Sequence, residues 1–419
     1  MPGDQNRFLS VILILAGIIA AGHGIRNVVR TAVPGKTTLV FGLSGKDEGT
    51  VRALGIIIEE FEAAHSGIRI VLSEAPGVPE GISAKADILM FDETELGALV
   101  RDGALVSLDP WLRAETGNTP WAVPLVSFMD LLFYNIDLLA AAGFDRPPRN
   151  RHEFLRCAAA VVSGNRGSRF GAALSLGPED PSGIRRDVFS WIRAAGVTLA
   201  AEGRFLFTGR ETVRVLDFLG DLSRQGLLAP GVLTGTGARR LEEFEEGKIA
   251  LMIASSSAIP RFRRTMREGS FGVGLIPGPP EEAYAGKPVV ALHSRYAALS
   301  AQCRSPDEAW TFLRFLREKS SVLAAELRAV PGSREPSFAV NAAGVSSYIE
   351  EDPLLLKAWD MYGAAEVVHD FEELPAAEEL EKALREELVP LLEGRRNGAE
   401  TAAAVQKRWD ALVAADEVP

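Results

Sequence analysis

The stretch WAVPLVSFMDLLFYNIDLLAAAGFDRPP, Trp121 to Pro148, carries the strongest structural signal in this chain. Its pattern predicts a strand that ends at Pro124, a second strand over Leu131 to Asn135, and an amphipathic helix closed by Gly143. Apolar and aromatic residues suit a half-buried strand, and leucines at helical spacing follow them. The glycine suits the left-handed conformation that commonly ends a helix. A strand that leads directly into a helix is typical of α/β folds.

Strands and helices also alternate upstream of this stretch. Apolar strands are predicted at Thr38 to Phe41, Ile68 to Leu72 and Ala86 to Met90, and helices at Thr50 to His65 and Asp92 to Arg101. This βαβαβ order predicts a parallel sheet covered by helices. In open sheets of this kind, ligands bind beyond the carboxyl ends of the strands.

The composition limits the function classes. A chain of 419 residues exceeds what one core usually serves, so two domains are expected. The net charge of −11 leaves no surplus of Lys and Arg for a phosphate backbone, which argues against a nucleic-acid partner. Cys157 and Cys303 are far apart and lack C-x-x-C spacing, so neither a disulfide framework nor a thiolate metal site is indicated.

The amino terminus indicates export. The apolar run from Phe8 to Gly22 is short for a membrane-spanning helix and suits the core of a signal peptide. We predict that residues 1–24 are a cleaved signal peptide. The alternative is an uncleaved segment that tethers the protein to the inner membrane, against the positive-inside preference because Arg26 and Arg30 follow the run.

The central stretch resembles the crossover segment of extracellular solute-binding proteins of ABC importers, most closely the carbohydrate-binding group. The matching positions are Pro124, Leu132, Phe133, Tyr134, Asn135, Asp137, Leu138, Ala142, Gly143, Pro147 and Pro148. Further resemblance covers the segment around Asp87 to Leu108, Ala238 to Pro279, the block that begins VVALHSRYAALS, and Leu384 to Leu412. A lipid anchor is in doubt, because Gly22-His23-Gly24 stands where many relatives carry a lipobox cysteine.

The resemblance implies a two-lobed, class II periplasmic-binding-protein-like α/β fold, in which each lobe is a sheet flanked by helices and a hinge joins the lobes. The expected parts are lobe 1 at 37–125 and 271–329, and lobe 2 at 126–270 and 330–419. The resemblance further implies a periplasmic or cell-surface monomer without cofactor or metal. It would capture a small polar solute, for which we expect a mono- or oligosaccharide, and deliver it to an ABC permease.

Loops at strand ends supply the candidate ligand contacts, because polar side chains and aromatic faces are what a carbohydrate cleft needs. The alternatives are helix capping for Ser44, Asp92 and Glu93, hinge packing for Phe128 and Asp130, and core packing for Trp191 and Trp359. The candidates are Ser44, Glu48, Asp92, Glu93, Phe128, Asp130, Trp191, Ser256, Ser257, His293, Arg295, Tyr296 and Trp359.

Two departures from the sugar-binding pattern bear on the ligand. Ser256 and Ser257 stand where many carbohydrate-binding relatives place an aromatic residue, so one stacking surface is missing. Phe128 stands where relatives often have a polar residue, and it either replaces the lost aromatic or shrinks the pocket. Polyols, sugar phosphates and other polar metabolites therefore stay open as ligands.

Two other function classes also stay open. The missing lipobox cysteine and the serine pair Ser256-Ser257 suit a degenerate binding protein that acts as a sensor or scaffold beside a membrane partner. A periplasmic enzyme on this fold would need convergent titratable groups, and the sequence has no G-x-S-x-G or H-E-x-x-H motif. The five histidines are scattered without paired spacing, so no metal site is predicted.

Overall fold

The computed structural model describes residues 35–44, 48–75, 86–112, 120–164, 167–180, 182–201, 204–280, 289–320, 323, 338–339, 347–364, 366–368 and 377–416. The apolar run from Phe8 to Gly22, with its prediction of a signal peptide or membrane anchor, lies outside these ranges. Among the helices within them, none is both long and apolar enough to cross a membrane.

The described elements alternate between strands and helices along most of the chain. The strands are β1 (Thr37–Ser44), β2 (Ile68–Ala75), β3 (Ile88–Asp92), β4 (Val123–Asn135), β5 (Phe170–Ala173), β6 (Ala200–Ala201), β7 (Arg204–Phe205), β8 (Ile249–Ser255), β9 (Phe271–Gly274), β10 (Val289–Leu299), β11 (Phe338–Ala339) and β12 (Glu366–Val368). The helices of the first half are α1 (Glu48–Ala64), α2 (Glu93–Arg101), α3 (Asp109–Leu112), α4 (Ile136–Ala141), α5 (Arg151–Gly164), a π-helical turn (Arg185–Phe189) and α6 (Ser190–Arg193). Those of the second half are α7 (Arg210–Arg224), α8 (Gly237–Glu245), a 3₁₀ turn (Ser256–Ala258), α9 (Ile259–Thr265), α10 (Pro306–Glu318), α11 (Ser347–Glu350), α12 (Pro353–Ala364), α13 (Ala377–Leu392) and α14 (Gly398–Asp416).

Parallel pairing organises the amino-terminal strands, as their βαβαβ order predicts. Strand β1 pairs in parallel with both β2 and β3. The main path of hydrogen-bonded strands runs β2-β1-β3-β10-β4-β8-β5. At the far end, β5 pairs in parallel with β8. The path therefore has a parallel group at each end, and the antiparallel strands β10 and β4 lie between them.

Strand β4 connects the two parallel groups. Residues Val123 to Met129 pair with β10, and residues from Asp130 onward pair with β8 and β9. The predicted end of a strand at Pro124 is wrong, because β4 continues through it. The pairing register shifts opposite this proline, between Arg295 and Tyr296 of β10. Such a bulge tolerates a residue that has no amide N–H to donate.

Helix α4 confirms the predicted strand-to-helix transition. The Asn135 side chain at the end of β4 accepts a hydrogen bond from the Leu138 amide at 3.0 Å, which caps the first turn of the helix. Gly143 follows the helix with φ of 89°, in the left-handed region that the sequence predicts for it. The asparagine of this motif therefore has a structural role.

The carboxyl-terminal helices α13 and α14 pack together and against α7. Trp409 is fully buried there, and its indole N–H donates to the Leu380 carbonyl at 2.9 Å. A buried ion pair joins α13 to the π-helical turn, since Arg185 Nε lies 2.5 Å from Glu381 Oε1. Removing one member of such a pair leaves an uncompensated charge, so the pair fixes how these helices dock.

The pairing pattern also bears on where the two lobes meet. The predicted boundary assigns Phe271 onward to lobe 1, but β9 pairs with the part of β4 that also pairs with β8. The partner of β4 changes from β10 to β8 between Met129 and Asp130. We therefore propose that the first crossing lies at this point and that lobe 2 extends through Gly274.

Candidate functional site

The carboxyl ends of β1 and β3 supply the first group of polar side chains. Ser44 ends β1, and its hydroxyl donates to Glu95 Oε1 at 2.8 Å. Asp92 ends β3, and its amide donates to Glu95 Oε2 at 3.0 Å. Asp92 Oδ1 in turn accepts from Arg295 Nε at 3.0 Å, and Arg295 also reaches the Thr50 hydroxyl. The parallel strands β1 and β3 thus bring Ser44 and Asp92 to one edge of the sheet, and the antiparallel strand β10 places Arg295 opposite Asp92.

The crossing strands β4 and β10 supply the second group. His293 lies directly opposite Phe128 in the antiparallel ladder, and Asp130 is two residues further along β4. Residues two apart on a strand point to the same face, so these three side chains lie together. Glu93, the first residue of α2, reaches the same place from β3. We call Glu93, Phe128, Asp130 and His293 the crossover site.

Hydrogen bonds join the polar members of the crossover site into one line. His293 Nδ1 lies 2.6 Å from Glu93 Oε1, and His293 Nε2 lies 3.0 Å from Asp130 Oδ2. The Ser190 hydroxyl of α6 donates to Asp130 Oδ2 at 2.7 Å. The backbone amide of Ser294 donates to Glu93 Oε2 at 3.0 Å. Glu93, Asp130 and His293 are all at most 9% exposed, so the line is shielded from water.

Burial and charge act in opposite directions on these groups. Burial by itself would lower the pKa of His293, but the carboxylates of Asp130 and Glu93 outweigh it and hold that pKa well above its ordinary value. Burial would raise the pKa of Asp130, but His293, Ser190 and Arg186 together lower it. The site is therefore an imidazolium between two carboxylates, because both ring nitrogens must carry a proton to donate to both partners.

Serine side chains satisfy backbone and side-chain groups around this line. The hydroxyls of Ser127 and Ser294 lie 2.5 Å apart on the adjacent strands. The Ser256 hydroxyl accepts from the Met129 amide at 3.2 Å, at the point where β4 changes its partner. Ser257 is buried next to it, and its amide donates to the Ser255 hydroxyl at 3.1 Å. The serine pair of the sequence therefore lies against the crossing point.

Phe128 supplies the aromatic surface of the crossover site. The side chain is only half-buried, and its ring centroid lies 5.6 Å from the ring of His293 with an interplanar angle of 33°. An aromatic ring beside hydrogen-bonding groups is the combination that carbohydrate clefts use. Of the two sequence interpretations of Phe128, this position favours a replacement for the aromatic residue that Ser256 and Ser257 do not provide.

A further polar group at the carboxyl end of β5 was missed in the sequence. The Ser175 amide donates to Asp187 Oδ2 at 2.6 Å, and Arg186 Nη2 donates to Asp180 and Asp187 at 2.8 and 3.1 Å. Burial raises the pKa of Asp187 to about 6, although the Arg186 guanidinium and the Ser175 amide oppose this rise. The one sequence signal that could have found this group is that Ser175 follows the short apolar segment that forms β5.

Other predicted site residues lie away from the crossover site. Trp191 is 2% exposed and packs against Phe154 and Phe218 in the core, with ring centroids 5.1 and 4.8 Å away. Tyr296 is 7% exposed and stacks on Phe91 within the core near β3. Both rings belong to hydrophobic core clusters and pack on other aromatic rings, so neither presents a face to a ligand.

Two of the predicted ligand contacts, Trp359 and Glu48, remain to be described. Trp359 is half-buried on α12, where its ring lies 5.7 Å from that of Tyr362. Glu48 begins α1, but its side chain lies outside the described part of the structure. Within that part, no group of three or more His, Cys, Asp and Glu side chains is arranged to hold a metal ion.

Comparison with known proteins finds a matching family and several similar proteins. The family described as "Bacterial extracellular solute-binding protein" matches residues 49–321. A Deinococcus radiodurans protein named "Probable ABC transporter-binding protein" is 26% identical over 257 residues, which are 58% of this chain and 55% of that protein. The match thus spans little more than half the length of this relative.

Solved structures share the fold at low sequence identity. The sugar-binding protein MalE from Xanthomonas citri superposes with a TM-score of 0.73 at 17% identity, covering 91% of this chain and 98% of that one. The cyclic alpha-maltosyl-1,6-maltose binding protein from Arthrobacter globiformis gives a TM-score of 0.70 at 18% identity, covering 89% of this chain and 98% of that one. The two-lobed α/β fold with a hinge, predicted from the sequence, is confirmed.

Proposed function

Because the chain belongs to the bacterial extracellular solute-binding protein family, we propose that it is the exported binding component of an ABC importer, which captures a carbohydrate between its lobes. The observation that carries this proposal is the crossover site, where Phe128 lies beside buried hydrogen-bonding groups at the point between the lobes. Closure of the lobes on the ligand would then present the closed form to a permease. Such a ligand stabilises closure because it contacts both lobes only in that state.

The charges of the site favour an uncharged ligand. Each cation described there already faces a carboxylate: His293 faces Glu93 and Asp130, and Arg295 faces Asp92. Arg186 is likewise paired, with Asp180 and Asp187. A phosphate or carboxylate on the ligand would therefore meet these acidic groups, and none of these three cations is free to offset their repulsion. We propose a neutral mono- or oligosaccharide as the ligand class.

A thermal-shift panel tests this function. The chain without residues 1–24 is heated with neutral saccharides, polyols, amino acids, and sugar phosphates. A ligand at about a hundred times its Kd adds roughly 2.7 kcal/mol to the free energy of unfolding, which raises Tm measurably. We expect a neutral saccharide to raise Tm and to be recovered chemically unchanged. Conversion of the saccharide would favour an enzyme, and no shift across the panel would favour the scaffold alternative.

The Phe128→Ala variant tests the aromatic surface. We expect its Kd for the saccharide found in the panel to rise about tenfold, equivalent to ~1.4 kcal/mol, because the ring no longer covers an apolar face of the sugar. Isothermal titration calorimetry measures the change. Phe144→Ala is the matched control, since Phe144 is also half-buried but follows α4, outside the crossover site. Equal affinities of the two variants would contradict a contact between Phe128 and the ligand.

A further inference from the structure

The polar line of the crossover site runs from one parallel sheet region to the other. Glu93 begins α2 directly after β3, whose parallel partner is β1. Asp130 is the first residue of the part of β4 that pairs with β8. His293 on β10 contacts both carboxylates, and Ser190 extends the line into α6. A single histidine thus connects the amino-terminal sheet region to the group of strands beyond the crossing.

We propose that Glu93, His293, Asp130 and Ser190 form a latch across the hinge, which holds the lobes in one relative orientation while the imidazole carries both of its protons. The latch does not depend on which ligand the protein binds. It is a property of the ligand-free hinge, and it makes the orientation of the lobes depend on pH.

The requirement for two protons follows from the contacts. A neutral imidazole has one N–H and one lone pair, so it donates to only one of two carboxylates. The other carboxylate oxygen would then face the lone pair of a ring nitrogen at 2.6 or 3.0 Å. Such a contact is repulsive, so loss of one proton breaks the line at Glu93 or at Asp130. The raised pKa of His293 keeps the latch closed at neutral pH.

The other charged groups near the latch do not replace His293. On the lobe 2 side, Arg186 acts on Asp130 but is bonded to Asp180 and Asp187. On the β3 side, Arg295 is paired with Asp92. Among the contacts of the described residues, Glu93 otherwise receives only the neutral amide of Ser294. After deprotonation of His293, the two latch carboxylates would therefore repel each other across the crossing, which opens the hinge.

The distance between spin labels on the two lobes tests the latch without any sugar. Labels are placed at Glu59→Cys on α1 and Lys407→Cys on α14, both exposed positions. The half-exposed Cys303 is replaced by serine, whereas burial raises the pKa of the Cys157 thiol to about 11, which leaves that thiol unreactive. Electron–electron double resonance then gives the distribution of inter-label distances.

We expect one distance for the otherwise wild-type chain at neutral pH. Glu93→Ala should add a second population, shifted by more than about 2 Å, because His293 then holds only Asp130. The matched control is Glu95→Ala, since Glu95 lies in the same helical turn but contacts Ser44 and the Asp92 amide instead. The control should keep the single distance.

A pH series on the labelled chain gives a second readout that needs no Glu93 variant. As the pH rises above about 6.5 and through the raised pKa of His293, the second population should grow because the ring loses a proton. A single unchanged distance in this series and in Glu93→Ala would overturn the latch. Because no sugar is present, this result would leave the proposed function standing, and a failed saccharide panel would leave the latch standing.

Discussion

His293→Gln is expected to lower the free energy of unfolding by about 3–5 kcal/mol at neutral pH, because it leaves two buried carboxylates without their common cation. Glu93 and Asp130 are only 5% and 3% exposed, so water cannot replace the imidazolium. Glutamine can still donate hydrogen bonds, but it brings no charge. Urea unfolding measures the loss as a lower midpoint.

A second histidine provides the control for this variant. His152 is exposed at the start of α5, and His152→Gln should change the free energy of unfolding by less than about 0.5 kcal/mol. If both variants unfold at the same urea concentration, the imidazolium does not compensate the two carboxylates. A double variant with Glu93→Gln should lose less than the sum of the single losses, since the two residues contact each other.

The loss of stability in His293→Gln should depend on pH, and the raised pKa of His293 sets the direction of this dependence. The folded pKa of His293 lies well above the ordinary value of 6.5, so folding favours the protonated ring. The contribution of His293 is therefore fully present below about pH 6.5 and is lost as the pH rises through the folded pKa. The difference in stability between wild type and His293→Gln should shrink in alkaline solution. A difference that grows with pH would contradict the protonated state.

Strand positions made much of the crossover site predictable. Glu93 of the crossover site, and Ser44 and Asp92 near it, were identified because they lie at or just after the ends of apolar strands, and strands in a parallel sheet end at the same edge. Asp130 and His293 were also identified, but the bond between them joins residues 163 positions apart. Nothing local in the sequence specifies that register, which depends on how β10 returns to pair with β4.

The continuity of β4 and the group around Arg186 could not be read from the sequence. Pro124 looked like the end of a strand, because a proline removes one hydrogen bond, but a bulge at Leu125 beside it lets β4 continue opposite β10. Arg186 and Asp187 match no motif, and adjacent charged residues are ordinarily found at the surface of a protein. The π-helical turn that carries them packs against β8 and is bonded to Ser175, which follows β5, and no local periodicity predicts such a turn.

Trp191→Ala is expected to lower the free energy of unfolding by about 3–5 kcal/mol while changing the Kd for the bound saccharide less than about twofold. The side chain is 2% exposed and packs against Phe154 and Phe218, so its removal leaves a cavity among rings that cannot collapse into it. Urea unfolding measures the stability, and calorimetry well below Tm measures the affinity of the folded fraction.

A half-buried tryptophan provides the control for Trp191→Ala. It shows whether the loss of stability comes from core packing or from removal of any indole ring. Trp310 stacks on Trp111 with ring centroids 5.9 Å apart and remains partly exposed on α10. Trp310→Ala should therefore cost less than Trp191→Ala, since fewer of its atoms leave a cavity. A Trp191→Ala variant of unchanged stability and much weaker affinity would return Trp191 to the ligand contacts. The expected opposite result means that this tryptophan supports the lobe, and that Phe128 is the ring left to meet the sugar.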